Sequence, residues 1–390
     1  MQINPGGRLD TKDIIGRDNE IDRYWHILKR QGLVLSAERR IGKTHILFKM
    51  REEYQAGYVP FYQDLEAVHS VAELIRSIYA TVENSSGAMP KVKAYIAKRS
   101  TLLPKRIGGI DLPTADGTWQ TLLADVFDIL IRSADDNTRI LMLWDEFPLM
   151  LHNLQRNAGP DTPIQLLDHL RALRIARADR LRFLFTGSVG LHLVLRSLRE
   201  AGSTNDPVND MLSLTVPPIA RHHTCGLAEA LLRETRAAPL EIPSLASAIA
   251  DHVGGFPYYV HHVVDQLDQL RRKPTLEDVS AAVDHLVYDP HDPANLKYYL
   301  TRLSSYYAED QRRLALLLLD TLARQPSGTR LPQLLNLCKH GNPLLANEQL
   351  LEVLTILAED HYIERRNCGS GFAYDFRWPL VKKWWKETRP

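Results

Sequence analysis

Short apolar runs alternate with amphipathic stretches over the first 218 residues. The runs Leu33–Ala37, Tyr58–Asp64, Arg139–Trp144 and Leu181–Phe185 have the length and polar borders of buried strands. Ser213–Val216, before Pro217-Pro218, suits a fifth. Between them lie helical spacings: one opening at Asp18 and continuing through Ile21, Tyr24, Ile27 and Leu28, then Gly42 to Gln55, Ser70–Glu83 and Trp119–Ser133. Pro163–Asp179 follows, with Ile164, Leu167, Leu170 and Leu173 on one side. Strands alternating with helices predict a three-layer α/β fold around a parallel sheet. Pro60 sits awkwardly in the second run, because proline cannot donate to a central strand's ladder.

The pattern changes after Pro218. Residues 219–300 read as helices alone, broken at Gly254-Gly255-Phe256-Pro257. Residues 301–390 read as a further unit, with helices at Asp310–Arg324, Leu331–Lys339 and Asn347–Asp360. A hairpin follows, Tyr362–Arg366 and Phe372–Phe376 about the turn Asn367–Gly371, and then a last helix after Trp378-Pro379. Three helices and a hairpin form the winged-helix pattern. The expected organisation is a polar arm at 1–12, an α/β core at 13–218, a helical region at 219–300 and a winged helix at 301–390. Residues 84–117 are weakly patterned and read as an insertion on the core, with a short hairpin at Arg106–Leu112.

Composition narrows the class little. A net charge of +1 gives no global attraction to nucleic acid, so any such contact needs a local patch. Residues 301–390 hold 13 Lys and Arg against 10 Asp and Glu, and Arg365, Arg366, Lys382, Lys383 and Lys386 gather at the hairpin and last helix. The first four are the candidate contacts to duplex DNA; a protein partner or self-association is the alternative use of the same unit. Trp378, Trp384 and Trp385 interleave with these charges and suit packing of the last helix. Cys225, Cys338 and Cys368 are scattered, which suggests neither a disulfide framework nor a zinc site. No long apolar run predicts a membrane span, and the N-terminus lacks a signal peptide's apolar core, so a cytoplasmic protein is expected.

The candidate chemistry lies at strand ends. Ala37-Glu38-Arg39-Arg40-Ile41-Gly42-Lys43-Thr44 matches the phosphate-binding loop, Gly-x-x-x-x-Gly-Lys-Ser/Thr, except that Ala37 stands at the first glycine. Such a loop curls backbone N–H groups around phosphate oxygens at a helix N-terminus, where the dipole favours anions. Lys43 would reach the outer phosphates and the Thr44 hydroxyl would ligand Mg²⁺. Asp145 and Glu146 end the third run, suited to supporting the metal and to activating water as a general base. Thr186, ending the fourth run, suits a place between that glutamate and the γ-phosphate; an ordinary strand-to-loop turn is the competing account. Lys43, Glu146 and Thr186 are thus the catalytic candidates, and Thr44 and Asp145 the metal candidates. Arg196 and Arg199 suit either a finger acting on a neighbour's phosphate or a solvated helix face. The ladder Arg171, Arg174, Arg177 reads as a solvated face, with contact to a partner subunit or DNA as the alternative.

Taken together, these segments resemble the AAA+-related ATPases of the STAND type, in particular the archaeal-type ATPases. Ile15-Gly16-Arg17-Asp18-Asn19-Glu20 resembles the family's Gly-Arg-x-x-Glu box beside the adenine, and Gly255-Phe256-Pro257 its Gly-x-Pro motif near the base. The resemblance implies a sheet order of 5-1-4-3-2, an all-helical lid and a C-terminal winged helix. It implies ATP and Mg²⁺ as cofactors, bound through Gly16, Arg17, Ala37, Glu38, Arg39, Arg40, Ile41, Gly42, Lys43, Thr44, His45 and Pro257. The activity it implies is slow ATP hydrolysis by a molecular switch, with a DNA-binding regulator or loader of low turnover as the alternative. Ala37 departs from the family's glycine.

Overall fold

The computed structural model describes residues 1–84, 118–188, 190–341, 345–369 and 371–389. The hairpin expected at Arg106–Leu112, and most of the insertion around it, lie outside these residues. The chain folds into two compact units, one comprising Arg17–Ala37 and Lys43–Val216, the other Met1–Gly16, Glu38–Gly42 and Pro217–Pro390.

The first is built on a five-stranded sheet: β1 (Gly32–Ser36), β2 (Tyr58–Asp64), β3 (Arg139–Asp145), β4 (Leu181–Gly187) and β5 (Met211–Thr215). Its order is β2-β3-β4-β1-β5 and all pairings are parallel. Read from the other edge this is 5-1-4-3-2, the order that the resemblance implies. Every residue of β4 and all but the first of β3 are buried, as a sheet covered on both faces requires. Pro60 is accommodated because β2 is an edge strand, so no second ladder needs the missing N–H. The helices are α1 (Asp18–Leu28), α2 (Lys43–Glu52), α3 (Val71–Asn84), α4 (Thr118–Ser133), α5 (Phe147–Ala158), α6 (Asp161–Ala176) and α7 (Leu191–Glu200). Helix α5 follows Glu146 directly, with a proline in its first turn, and is not among the elements that the sequence pattern predicts.

The second unit is helical except for one small sheet. It carries α8 (Arg221–Arg233), α9 (Ile242–Val253), α10 (Pro257–Gln269), α11 (Leu276–Tyr288) and α12 (Tyr298–Tyr306). Residues 300 and 301, the expected border of two regions, both lie inside α12. Gly254, in the left-handed conformation, stops α9, and a reciprocal capping box between Thr275 and Asp278 starts α11. Then come α13 (Glu309–Ala323), α14 (Leu331–Gly341) and α15 (Asn347–Glu359), and an antiparallel sheet of order β6-β8-β7. Its strands are β6 (Thr329–Arg330), β7 (Ile363–Asn367) and β8 (Phe372–Phe376). Helix α16 (Pro379–Thr388) closes the chain. The three tryptophans of that end are buried, and Trp385 Nε1 donates to Asp320 at 2.8 Å, so they dock the helix as expected.

Candidate functional site

Parallel register brings the first cluster together. Trp144 of β3 lies opposite Phe185 of β4, and Leu35 of β1 opposite Thr186, so the next residue along β3, Asp145, arrives beside Thr186. Thr186 Oγ1 donates to Asp145 Oδ1 at 2.8 Å, and Thr44 Oγ1, in the first turn of α2, donates to Asp145 Oδ2 at 2.6 Å. Asp145 is thus buried with a hydroxyl on each carboxylate oxygen. Behind it, Trp144, Phe147, Phe183 and Phe185 form an aromatic block, with Phe147 stacked on Phe185 at 4.0 Å. Fully buried rings of this size fix the strand end against sliding.

Glu146 follows with φ 54°, a left-handed conformation that turns its side chain out of the strand's alternation. Its carboxylate accepts hydrogen bonds from the Ser188 backbone N–H at 2.9 Å and from Ser188 Oγ at 2.9 Å. Burial pushes the Glu146 pKa above the ordinary carboxylate range, with the Asp145 charge acting the same way; Ser188 and Lys43 oppose them. The sequence offers Thr186 either a place between that glutamate and the γ-phosphate or an ordinary strand-to-loop turn. The structure gives Thr186 to Asp145, and Ser188, two residues further on, to Glu146. Only the left-handed turn at Glu146, invisible in the sequence, decides this.

Lys43 is buried and its Nζ donates to the Ala37 carbonyl at 2.9 Å, holding the start and end of the loop together. Arg40 and Gly42 have φ of 68° and 101°, the left-handed geometry that turns successive N–H groups inward in anion-binding loops. His45 is half-buried in the first turn of α2. Thr44 and Asp145 are hard oxygen donors of the type Mg²⁺ takes.

The intervening Glu38–Gly42 belongs to the second unit. There Glu38 Oε1 accepts from Arg302 Nη1 at 2.9 Å, Arg39 lies 4.5 Å over the Tyr298 ring, and Arg40 lies 4.6 Å over Tyr258. Pro257 is the first residue of α10, and the preceding Phe256 packs edge-on to Trp378. Gly255, with φ 82°, has no room for a side chain: a Cβ would meet the Ile219 carbonyl oxygen at 2.5 Å. In the same unit Gly16 abuts His223. Arg17, in the other, is buried at the start of α1, and burial lowers its pKa.

The remaining basic candidates are mostly engaged. Lys382 pairs with Asp375 at 2.6 Å, Lys383 pairs with Asp284, and Arg366 pairs with Glu364. Arg365 lies over the Phe372 ring at 4.3 Å, exposed on β7. The ladder on α6 is not a solvated face: Arg174 is buried in a two-pronged pair with Asp210, and Arg177 makes another with Asp128. Arg199 is exposed near the end of α7. Among the described residues no cluster of His, Cys, Asp and Glu is arranged to hold a metal by itself, and no helix is long and apolar enough to cross a membrane.

No protein-family model matches the chain, and no curated protein matches its sequence. Among solved structures, a Walker-type ATPase of Pyrococcus abyssi is similar over 98% of this chain and 99% of its own, at 14% identity and a TM-score of 0.67. The ORC2 protein of Aeropyrum pernix, in complexes with ADPNP and ADP, is similar over 99% and 97% at 12% identity, with a TM-score of 0.43. Cdc6p from Pyrobaculum aerophilum gives 100%, 98%, 15% and 0.40 for the same quantities. At scores that low, the last two likenesses decide nothing about this chain. The first likeness is one of fold: together with the strand order it shows that the sheet and its helices fit a P-loop NTPase fold.

Proposed function

We propose that this protein is a Mg²⁺-dependent ATPase of the STAND and AAA+ type, a slow molecular switch. The observation that carries the reading is Asp145, whose two carboxylate oxygens receive the hydroxyls of Thr44 and Thr186 from two other elements. A chain without nucleotide chemistry has no need to gather those groups, with Lys43 and Glu146 beside them, at the carboxyl end of a parallel sheet. Lys43 and the loop amides bind phosphate, Thr44 and Asp145 hold the metal, and Glu146 takes the proton of the attacking water. Mg²⁺, when bound, neutralises charge on the transferring phosphoryl group.

The proposed organisation is a core at 13–218, a lid at 219–300 and a winged helix at 301–390. Coupling of nucleotide state to the winged helix is supported by the loop residues Glu38–Gly42, which belong to the same compact unit as the C-terminal helices. The test is Mg·ATP binding and turnover on the whole chain beside Lys43→Ala and Glu146→Gln. Turnover by the wild type, binding without hydrolysis by Glu146→Gln, and lost binding in Lys43→Ala are expected. No binding by the wild type at millimolar ATP would overturn the reading.

A second reading, a DNA-binding regulator with little turnover, is favoured by Arg365 and Arg366, both exposed on β7. It predicts affinity for duplex DNA that falls with salt, and a salt slope reduced by about 2 on replacing both arginines with alanine. Equal binding by that variant would remove it.

A further inference from the structure

A carboxylate inside a phosphate loop brings negative charge near the place where an anion would bind. Glu38 stands second in the loop and is 1% exposed, in a neighbourhood that has to receive a polyphosphate. Its Oε1 also takes the N–H of Arg39, one of the amides that such a loop offers to phosphate. Left alone, the Glu38 charge would repel the ligand and be costly to bury.

Arg302 answers that charge. It comes from α12, 264 residues along the chain, and its Nη1 donates to Glu38 Oε1 at 2.9 Å. Its Nη2 lies 3.1 Å from the Asp360 backbone carbonyl oxygen and 3.1 Å from the Asp360 carboxylate, which also accepts from Tyr307 Oη at 2.6 Å. The guanidinium sits 5.1 Å from the centre of the Tyr362 ring, and Tyr362 Oη is itself held by the Tyr299 carbonyl at 2.7 Å. Burial works against the Arg302 charge, but Asp360 and Glu38 outweigh it and keep the group protonated. The guanidinium is therefore fixed from three sides, and Glu38 is tethered to a rigid support. Nothing so built is needed merely to fill space, where an apolar residue of similar volume would serve.

We infer that Arg302 is a positioning residue of the phosphate loop: it pairs with the Glu38 carboxylate and draws that side chain toward α12, so that the loop can accept a nucleoside polyphosphate. The inference rests on the nucleotide reading above. It makes the loop's affinity depend on a residue of the C-terminal helices, and it predicts a sign. Removing the arginine harms phosphate binding through the charge it leaves on Glu38, whereas the Asp360 carboxylate it also leaves without its cation costs stability.

The experiment is Mg·ATP binding to the full chain and its Arg302→Gln, Glu38→Gln and doubly substituted forms, with hydrogen exchange of the 38–42 amides measured without nucleotide. Arg302→Gln is expected to weaken binding at least about tenfold. Glu38→Gln should tighten it about threefold or more, and the double form should return to within about threefold of wild type. A double form as weak as Arg302→Gln would make the arginine merely structural and overturn the inference. If Arg302→Gln does not fold, Glu38→Gln decides: tighter binding supports the inference, and equal or weaker binding overturns it. If the wild type binds no nucleotide yet Arg302→Gln speeds exchange of the loop amides, the nucleotide reading has failed while the tether stands. Wild-type binding with Arg302→Gln unchanged in both measurements sinks the tether alone.

Discussion

The hydroxyl of Thr44 donates to the carboxylate of Asp145 at 2.6 Å, across 101 residues of chain. Thr44 sits in the first turn of the helix after β1, and Asp145 closes β3, so β4 must lie between the two strands in the sheet for both groups to reach one point. Thr186, at the end of β4, supplies the other hydroxyl. This is a relation at the carboxyl ends of interior strands, brought about by the observed strand order.

Replacing Thr44 by valine keeps the shape and removes the donor. Steady-state turnover should fall at least about tenfold and its Mg²⁺ requirement should rise, while stability falls by about 1 kcal/mol. Assays over a Mg²⁺ series, with thermal unfolding alongside, separate the two effects. Unchanged metal dependence would remove Thr44 from the metal site.

Glu146 has a pKa raised by burial, so the native state holds its proton more tightly than the unfolded chain. Stability linked to this group is therefore lost as pH rises from the ordinary carboxylate value through the raised one. Glu146→Gln should accordingly be more stable than wild type at neutral pH, and the difference should vanish in acid. The proposed role of Glu146 as general base needs the ionised form, so on that reading wild-type turnover should rise with pH over the same window, and Ser188→Ala should move that limb to higher pH. Denaturant melts and a pH–rate profile check both.

Asp210 behaves oppositely. Burial would raise its pKa, but the two-pronged contact with Arg174 overrides it and holds the carboxyl below its usual range. The stability it contributes is present above the unfolded carboxylate value and is lost as pH falls through the lowered one. Arg174→Ala should cost about 3 kcal/mol at neutral pH, because a carboxylate is left half-buried without its partner. That deficit should shrink in acid, as urea melts across pH would record.

Gly255 combines positive φ with a Cβ position 2.5 Å from a carbonyl oxygen. Gly255→Ala should therefore destabilise the chain by about 2 kcal/mol, read from thermal unfolding. Gly226, on α8 with open space around its Cβ position, is the control: Gly226→Ala should be neutral or stabilising.

Local pattern carried much of the architecture. Apolar runs with polar borders are enough to mark β3 and β4, because a strand buried on both faces tolerates little else. Asp18 marks the start of α1, and the break at Gly254–Pro257 separates α9 from α10, since glycine in the left-handed region and proline in a first turn are local chemistry. Lys43 and Thr44 at a loop-to-helix junction, and Asp145 and Thr186 at strand ends, are also readable from the sequence as candidate polar chemistry.

Their partners were not legible. The left-handed turn at Glu146 hands that carboxylate to Ser188 instead of Thr186, and backbone handedness at a non-glycine residue leaves no trace in composition. Arg174 and Arg177 look like any exposed ladder until Asp210 and Asp128 fold against them. Arg302 lies 264 residues from Glu38, with no motif around it, and only the packing of α12 brings the two together. Sequence alone determined which short segments form strands and helices and which strand ends carry polar chemistry, because these follow from nearest-neighbour sterics and solvent. The pairing of charges was left to tertiary structure, since Coulomb and hydrogen-bond energies act at a few ångströms through space, whatever the distance along the chain.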